Sequence, residues 1–441
     1  MVLVEQLLSA FKSALREVNP SASVQKALSV RDGKLFVQNR GFELHKNVHL
    51  VAFGKAAPAM VHGAERVLGE HILRGIASVP MKINIPSGLK TEFCTGAEHN
   101  LPDERALENT KRIEQFVSEA NSAPDQLILF LVSGGGSALL TAPISGVSLN
   151  DKVALIRQVQ NSGAGIKQLN VLRTALSRVK GGGLAKLGRS SKMISLVISD
   201  IVGDPLELIS SGPTIVSGRS CADPIAILND LEILDKVPIR LVDALRSAHL
   251  EKDQYDPSPT DALNVIIASN SILLDNLANQ INDSLSISPF IVTNRLEGNA
   301  TELGIRFSKL IKQSMVNGKL DRSIMIADLY DDSQRSAEFD SQRVVLLFGG
   351  ESTVRFDAKK ATQNAKGGRN QEMILSAFHH LAECWSDLPK ETKCQCQFAL
   401  FSIGSDGQDG PTDAAGAFLT NDDLEGFAHI IFGATTEMAK T

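Results

Sequence analysis

The sequence predicts an α/β protein of two domains, with mainly parallel sheets flanked by helices. Three observations carry that prediction. Short apolar runs bounded by glycine or polar clusters recur along the 441 residues, at 48–53, 127–132, 193–199, 265–268, 290–293, 344–348 and 398–403. Each has the length and continuity of a strand buried on both faces. Helix-length amphipathic segments lie between them, as at 58–68, 102–119 and 299–315. Alternating strand and helix patterns read as βα units. Glycine is plentiful (34 residues) while aromatics make up only 5%, a balance that suits small-residue turns after buried strands.

The elements follow in order. Val4, Leu7, Leu8, Phe11, Ala14 and Leu15 form one apolar stripe, read as a first helix of the N-terminal domain. The stretch lacks the apolar block of a signal peptide, and Glu5 is foreign to an Arg-rich transit peptide. The helix near Pro102 opens with proline early and acidic residues in its first turn. Residues 251–260, EKDQYDPSPT, are polar, carry two prolines and show no periodicity. They read as the linker between a domain at 1–250 and a second at 261–441. Two further polar stretches, 331–342 and 357–366, read as surface loops.

Composition excludes several functions. The net charge is −5, so no basic surface is available to wrap nucleic acid. Few aromatics also argue against a base-stacking platform. No run of 18 apolar residues occurs, so no membrane span is expected. Five cysteines (Cys94, Cys221, Cys384, Cys394 and Cys396) include no C-x-x-C pair. Neither a disulfide framework nor a structural zinc site is indicated. The expected compartment is the cytoplasm, with the mitochondrion as the alternative.

Glycine-rich turns after the strands carry the chemistry. The run at 48–53 ends in Gly54-Lys55-Ala56-Ala57. Such a strand-to-helix turn can turn backbone N–H groups toward an anion, and Lys55 would add a point charge. A capped turn with a solvated lysine is the other reading. The run at 127–132 leads into Ser133-Gly134-Gly135-Gly136-Ser137. Three glycines cost conformational entropy and make sense where backbone must approach a ligand closely. This is neither a Walker A loop nor a nucleophile elbow, because the required spacings are absent. Arg173, Arg178 and Lys180 then lead into three more glycines. They read either as the lining of an anion-binding pocket or as an exposed basic helix end.

Carboxylates complete the pattern. The run at 193–199 ends at Asp200, placed either to accept a hydroxyl proton or contact a metal, or to cap the next segment. The run at 344–348 ends in Gly349-Gly350-Glu351, and Gly367-Gly368-Arg369-Asn370-Gln371 precedes a helix. That second motif suits bidentate anion recognition. After 398–403, Asp406, Asp409 and Asp413 fall within eight residues among glycines and hydroxyls. They read as a Mg²⁺ or polar-substrate loop, without EF-hand spacing. Backbone donors, cations and carboxylates gathered on one sheet edge are what phosphoryl transfer needs. No G-x-G-x-x-G fingerprint supports a nicotinamide enzyme.

The ordered motifs VAFGKAAPAM (51–60), NLPDERAL (100–107), LVSGGGSALL (131–140), SRVKGGGLAK (177–186) and SDIVGDPLELISSGPT (199–214) carry a resemblance, together with FGGESTV (348–354), GGRNQE (367–372) and GSDGQDGPTDAAGA (404–417). The chain resembles the glycerate 2-kinase family of the class that carries a MOFRL domain. The resemblance implies a Rossmann-like N-terminal domain and a MOFRL-type C-terminal domain with the active-site cleft between them. It implies ATP-dependent phosphorylation of D-glycerate at the 2-hydroxyl with Mg²⁺, serving serine and fructose degradation. Matched motif by motif, it points to Lys55, Asp200 and Arg369 as the catalytic centre. Ser133, Gly134, Gly135, Gly136, Ser137, Arg173 and Lys180 would hold substrate or phosphate. Glu351, Asn370, Asp406 and Asp409 would touch nucleotide or metal. Family members continue past 417 through a helix and a Gly-Pro-Thr-Gly-Thr-Asn turn into a last strand. This chain ends at Thr441 without that turn, so an incomplete second domain is expected. The alternatives are a hydroxypyruvate reductase, or a weakly catalytic product that retains ligand binding.

Overall fold

The computed structural model describes residues 2–216, 222–253, 262–318, 320, 343–355 and 366–425. The chain forms two units, Arg16–Ser269 and Met1–Leu15 with Asn270–Thr441.

The first unit is built on six parallel strands: β1 (Val48–Phe53), β2 (Ile72–Pro80), β3 (Glu92–Gly96), β4 (Leu127–Val132), β5 (Lys192–Ile198) and β6 (Ala262–Ala268), in the order β3-β2-β1-β4-β5-β6. Every residue of the central strands β1 and β4 is buried, which explains their unbroken apolar sequences. The pleat sends alternate residues to opposite faces. Val48, Leu50, Ala52, Leu127, Leu129 and Leu131 join one core with Met60 and Val61 of helix Ala57–Leu68. Val51, Phe53, Ile128, Phe130 and Val132 join the other with Ile113, Phe116 and Val117 of helix Glu104–Asn121. That second helix begins where the Asp103 carboxylate accepts the Ala106 amide at 2.8 Å, a cap that sets its first turn. A three-stranded antiparallel sheet spanning 29–43 precedes β1. A helical layer follows β4, with Leu155, Val159, Leu172, Leu241 and Leu245 in its own core.

The second unit pairs β7 (Phe290–Asn299) in parallel with β8 (Leu346–Thr353), and β9 (Ala399–Ile403) antiparallel with β10 (Gly416–Thr420). Helices Ala300–Asn317 and Arg369–Trp385 pack closely. Gly304 permits this, because a Cβ there would overlap the Met373 carbonyl.

Two boundaries differ from the sequence expectation. Residues 262–268, assigned above to the second domain, form the outer strand of the first sheet, pairing with β5 from Met193–Ala262 onward. The N-terminal helix Val2–Glu17, assigned above to the first domain, sets Ala10 in a cluster with Leu274, Ile281 and Leu347 of the second unit. A stripe of apolar residues says that a helix is buried, not against which unit. Residues 254–261, 321–342, 356–365 and 426–441 lie outside the described residues, and with them most of the expected linker, both expected loops and the C-terminal end. Among the described residues, no helix is long and apolar enough to cross a membrane.

Candidate active site

The strand order reverses direction between β1 and β4. The chain runs outward from β1 through β3, then returns to place β4 against β1. Open parallel sheets bind ligands beyond the carboxyl ends of their strands at such a switch point. Here the loops after β1, β4 and β5 carry Lys55, residues 133–137 and Asp200.

The first two loops are laced together. Ser133 Oγ accepts the Ala56 amide at 3.1 Å, and the Lys55 amide donates to the Gly134 carbonyl at 2.9 Å. Gly54, at φ +120°, leaves no room for a Cβ, which would strike Ser133 Oγ. A Cβ on Gly134 would overlap the Asp200 carboxylate, and one on Gly135, at φ +82°, would stand 3.2 Å from Lys55 Cγ. The triple glycine therefore lets the Lys55 stem and the Asp200 carboxylate close onto backbone. Lys55 and Asp200 are exposed at this edge. The amides of Gly134 and Gly135 make no backbone hydrogen bond among the described residues.

The bend is held from behind by residues not singled out above. Ser210 and Ser211 adopt φ values of +52° and +63°, an uncommon conformation for side chains other than glycine, asparagine or aspartate. Ser210 Oγ donates to the Ser133 carbonyl at 3.1 Å, and Ser211 Oγ lies 3.1 Å from Ser137 Oγ. The -SSGPT- run carried the signal: two small hydroxyl residues before a glycine that also takes positive φ.

The basic segment 173–180 divides. Arg178 is committed to structure, gripping Glu114 at 3.0 and 2.8 Å and the Pro143 carbonyl at 3.1 Å. Lys180 is buried and donates from Nζ to the Ser137 carbonyl at 2.6 Å. Burial, then the nearby Lys152 and Arg173 charges, push its pKa well down. Arg173 is half-buried and its pKa is lowered by burial.

The remaining expected site residues gather in the second unit. Arg369 pairs with the Glu351 carboxylate and donates to the Ser352 carbonyl at 3.2 Å. Asn370 follows it, taking a hydrogen bond from Ser402 Oγ at 2.7 Å. Asp409 is 1% exposed. Its carboxylate accepts the amides of Asn370 and Gln371 at 3.0 and 2.8 Å and both their side-chain NH₂ groups at 3.1 Å. Four donors occupy it at the start of helix Arg369–Trp385, where the helix dipole favours negative charge. Asp406 accepts the Gln408 amide at 3.1 Å within an exposed turn. The turns expected on one sheet edge are thus divided. Three lie on the six-stranded sheet, and the others on the two small sheets of the second unit.

Two family profiles match the chain: a domain of unknown function (DUF4147) over residues 6–246 and the MOFRL family over 344–439. Human glycerate kinase is 34% identical, covering 95% of this chain and 83% of that protein. Pyrococcus horikoshii glycerate 2-kinase is 33% identical, covering 92% and 83%. A crystal structure of a Pyrococcus horikoshii protein superposes with a TM-score of 0.73 at 30% identity, covering 95% of this chain and 86% of that one. The crystal structure of Thermotoga maritima glycerate kinase gives 0.71 at 27% identity, covering 95% and 87%. The chain belongs to the glycerate kinase family of the MOFRL class. The first profile covers β1 to β5 and their helices together with most of the N-terminal helix, and the second runs from β8 onward. Lys55, Asp200 and the triple glycine lie in the first match, and Arg369 and Glu351 in the second.

Proposed function

We propose that this chain transfers the terminal phosphoryl group of ATP to the 2-hydroxyl of D-glycerate, yielding 2-phosphoglycerate and ADP. The observation that carries the proposal is the meeting of Lys55, the 134–136 bend and Asp200 at the sheet's switch point. In this reading the glycerate oxygen attacks the terminal phosphorus while the bond to the ADP oxygen breaks. Asp200 takes the hydroxyl proton, and Lys55 offsets negative charge on the transferring group. The Gly134 and Gly135 amides supply fixed donors that need no reorganisation. Arg369 is proposed to hold a phosphate or a carboxylate, with Glu351, Asn370 and Asp406 as nucleotide or metal contacts.

Among the described residues no three metal-ligating side chains cluster. In this reading Mg²⁺ is carried on the nucleotide phosphates and held by one or two carboxylates rather than caged by protein. Asp200 keeps the role of base in this reading, so Glu351 and Asp406 are the carboxylates that would take it. When bound, Mg²⁺ would neutralise phosphate charge.

The decisive experiment incubates the chain with ATP, Mg²⁺ and D-glycerate and identifies the product by NMR. The 2-phospho ester is expected. A 3-phospho ester would overturn the regiochemistry, and absence of any phosphoester would overturn the kinase reading. NADH oxidation with hydroxypyruvate would favour the reductase instead.

A further inference from the structure

Behind the phosphate loop, three cations share a buried region without an anion. Lys152 is 4% exposed and Lys180 3%. Lys152 Nζ has no hydrogen-bond partner. Lys180 uses one of its three donors, on Ser137 O. No carboxylate among the described residues pairs with either lysine or with Arg173. Instead the three groups repel one another, since Lys152 feels Arg173, and Lys180 feels both. Buried charge is ordinarily matched by an opposite charge.

A second observation points the same way. Among the described residues four buried side-chain polar atoms lack a partner: Ser23 Oγ, Thr141 Oγ1, Lys152 Nζ and Ser177 Oγ. Ser177 lies between Arg173 and Lys180 in sequence, and a bridge from Ser177 to Pro143 joins that turn to the segment holding Thr141. Each unpartnered buried donor calls for an explanation, and an anion is one that would answer Lys152 and the Arg173 charge near it. Arg173, only half-buried, is the member that solvent reaches.

We propose that Lys152, Arg173 and Lys180 form a binding site for a small oxyanion, first of all the carboxylate of the acceptor substrate. The identity of the anion rests on the kinase reading; the site does not. Lys180 joins the site to the loop proposed to hold the transferring phosphoryl, through its bond to Ser137. An acceptor whose carboxylate is held there is tied to that loop through Lys180. Inorganic phosphate presents the same chemistry, so both anions are tested.

The full chain and K152M are compared by thermal unfolding and calorimetry with D-glycerate, glycerol or inorganic phosphate. Removing an uncompensated buried charge by an unbranched apolar side chain is expected to leave folding intact. D-Glycerate should raise the wild-type unfolding midpoint and glycerol should not. K152M should lose the D-glycerate shift, and its KM for D-glycerate should rise about tenfold or more, with KM for ATP unchanged. Loss of the phosphate shift alone would uphold the oxyanion site and overturn the acceptor assignment. Retention of both shifts in K152M would overturn the site. If K152M does not fold, R173M, at a half-exposed position, answers the same question. A wild-type chain that phosphorylates no glycerate would end the kinase reading, while the midpoint shifts would still decide the anion site.

Discussion

The carboxylate of Asp200 fills the space into which a side chain on Gly134 would project. The loops after β4 and β5 therefore approach as closely as a hydrogen atom permits. Gly134→Ala should push Asp200 away from the phosphate loop and lower kcat by on the order of 10²–10⁴, the usual worth of a positioned base. Gly146 is the control, at φ +77° with no heavy atom within 4 Å of an added Cβ. Gly146→Ala should cost about 1–2 kcal/mol from the left-handed backbone and leave kcat unchanged. Equal kcat in Gly134→Ala and wild type would show that the close approach has no catalytic meaning.

Asp200→Asn tests the base directly. The amide keeps the size of the carboxylate and cannot take a proton. The expected result is a fall in kcat of on the order of 10²–10⁴, with KM for D-glycerate held within a few-fold. Lys55→Met should lower kcat and also raise KM for ATP, because its charge faces the bound phosphates as well as the transferring group, while its stem still covers Gly135. Steady-state kinetics on both variants separate the two roles. A rise confined to KM in Asp200→Asn would move that residue from catalysis to binding.

What the sequence revealed follows from how each segment is buried. The runs at 48–53 and 127–132 are buried on both faces, so every position is apolar and the strand bounds are legible. β2 was missed because its apolar run is interrupted. Arg74 reaches the rim to meet Glu119 at 2.6 Å, and Gly75 makes room for Thr91. β3 is an edge strand with exposed Glu92 and Thr95, and its sequence reads as a polar turn. The hydrogen-bonding role of Asp409 was hidden because its donors come from Asn370 and Gln371, about forty residues earlier. Lys152 had a readable signal. It stands three residues after Leu149 and three before Leu155, on the buried stripe of helix Leu149–Asn161, where a lysine is out of place.

The four hydrogen bonds on Asp409 predict a stability effect rather than a metal effect. Asp409→Ala strips the first turn of helix Arg369–Trp385 of its acceptor and leaves two amides and the Asn370 NH₂ group unmatched, while the Gln371 NH₂ keeps Thr412 Oγ1 at 3.0 Å. The unfolding midpoint should fall by the equivalent of about 2–4 kcal/mol. Activity lost with it should not return as Mg²⁺ is raised. Recovery at high Mg²⁺ with an unchanged midpoint would instead make Asp409 a metal ligand.

Lys152 predicts how stability depends on pH. Burial, then Arg173, lowers its pKa from the ordinary 10.5 to about 8 in the folded chain. Between those values the unfolded chain binds the extra proton, so stability rises with pH. The penalty is complete below about pH 8 and vanishes toward pH 10.5, with a ceiling of roughly 3 kcal/mol. Lys180, lowered by the same burial and by Lys152 and Arg173, adds a contribution of the same sign. Urea midpoints at neutral and alkaline pH should therefore show K152M more stable than wild type near neutrality. The two should converge as the solution becomes alkaline, with a shallower slope remaining in K152M from Lys180. Saturating D-glycerate should flatten the wild-type curve, because a bound carboxylate restores the lysine's affinity for its proton. Parallel curves for the two chains would mean that Lys152 meets its proton equally well folded and unfolded, and its charge would then not be an uncompensated buried one.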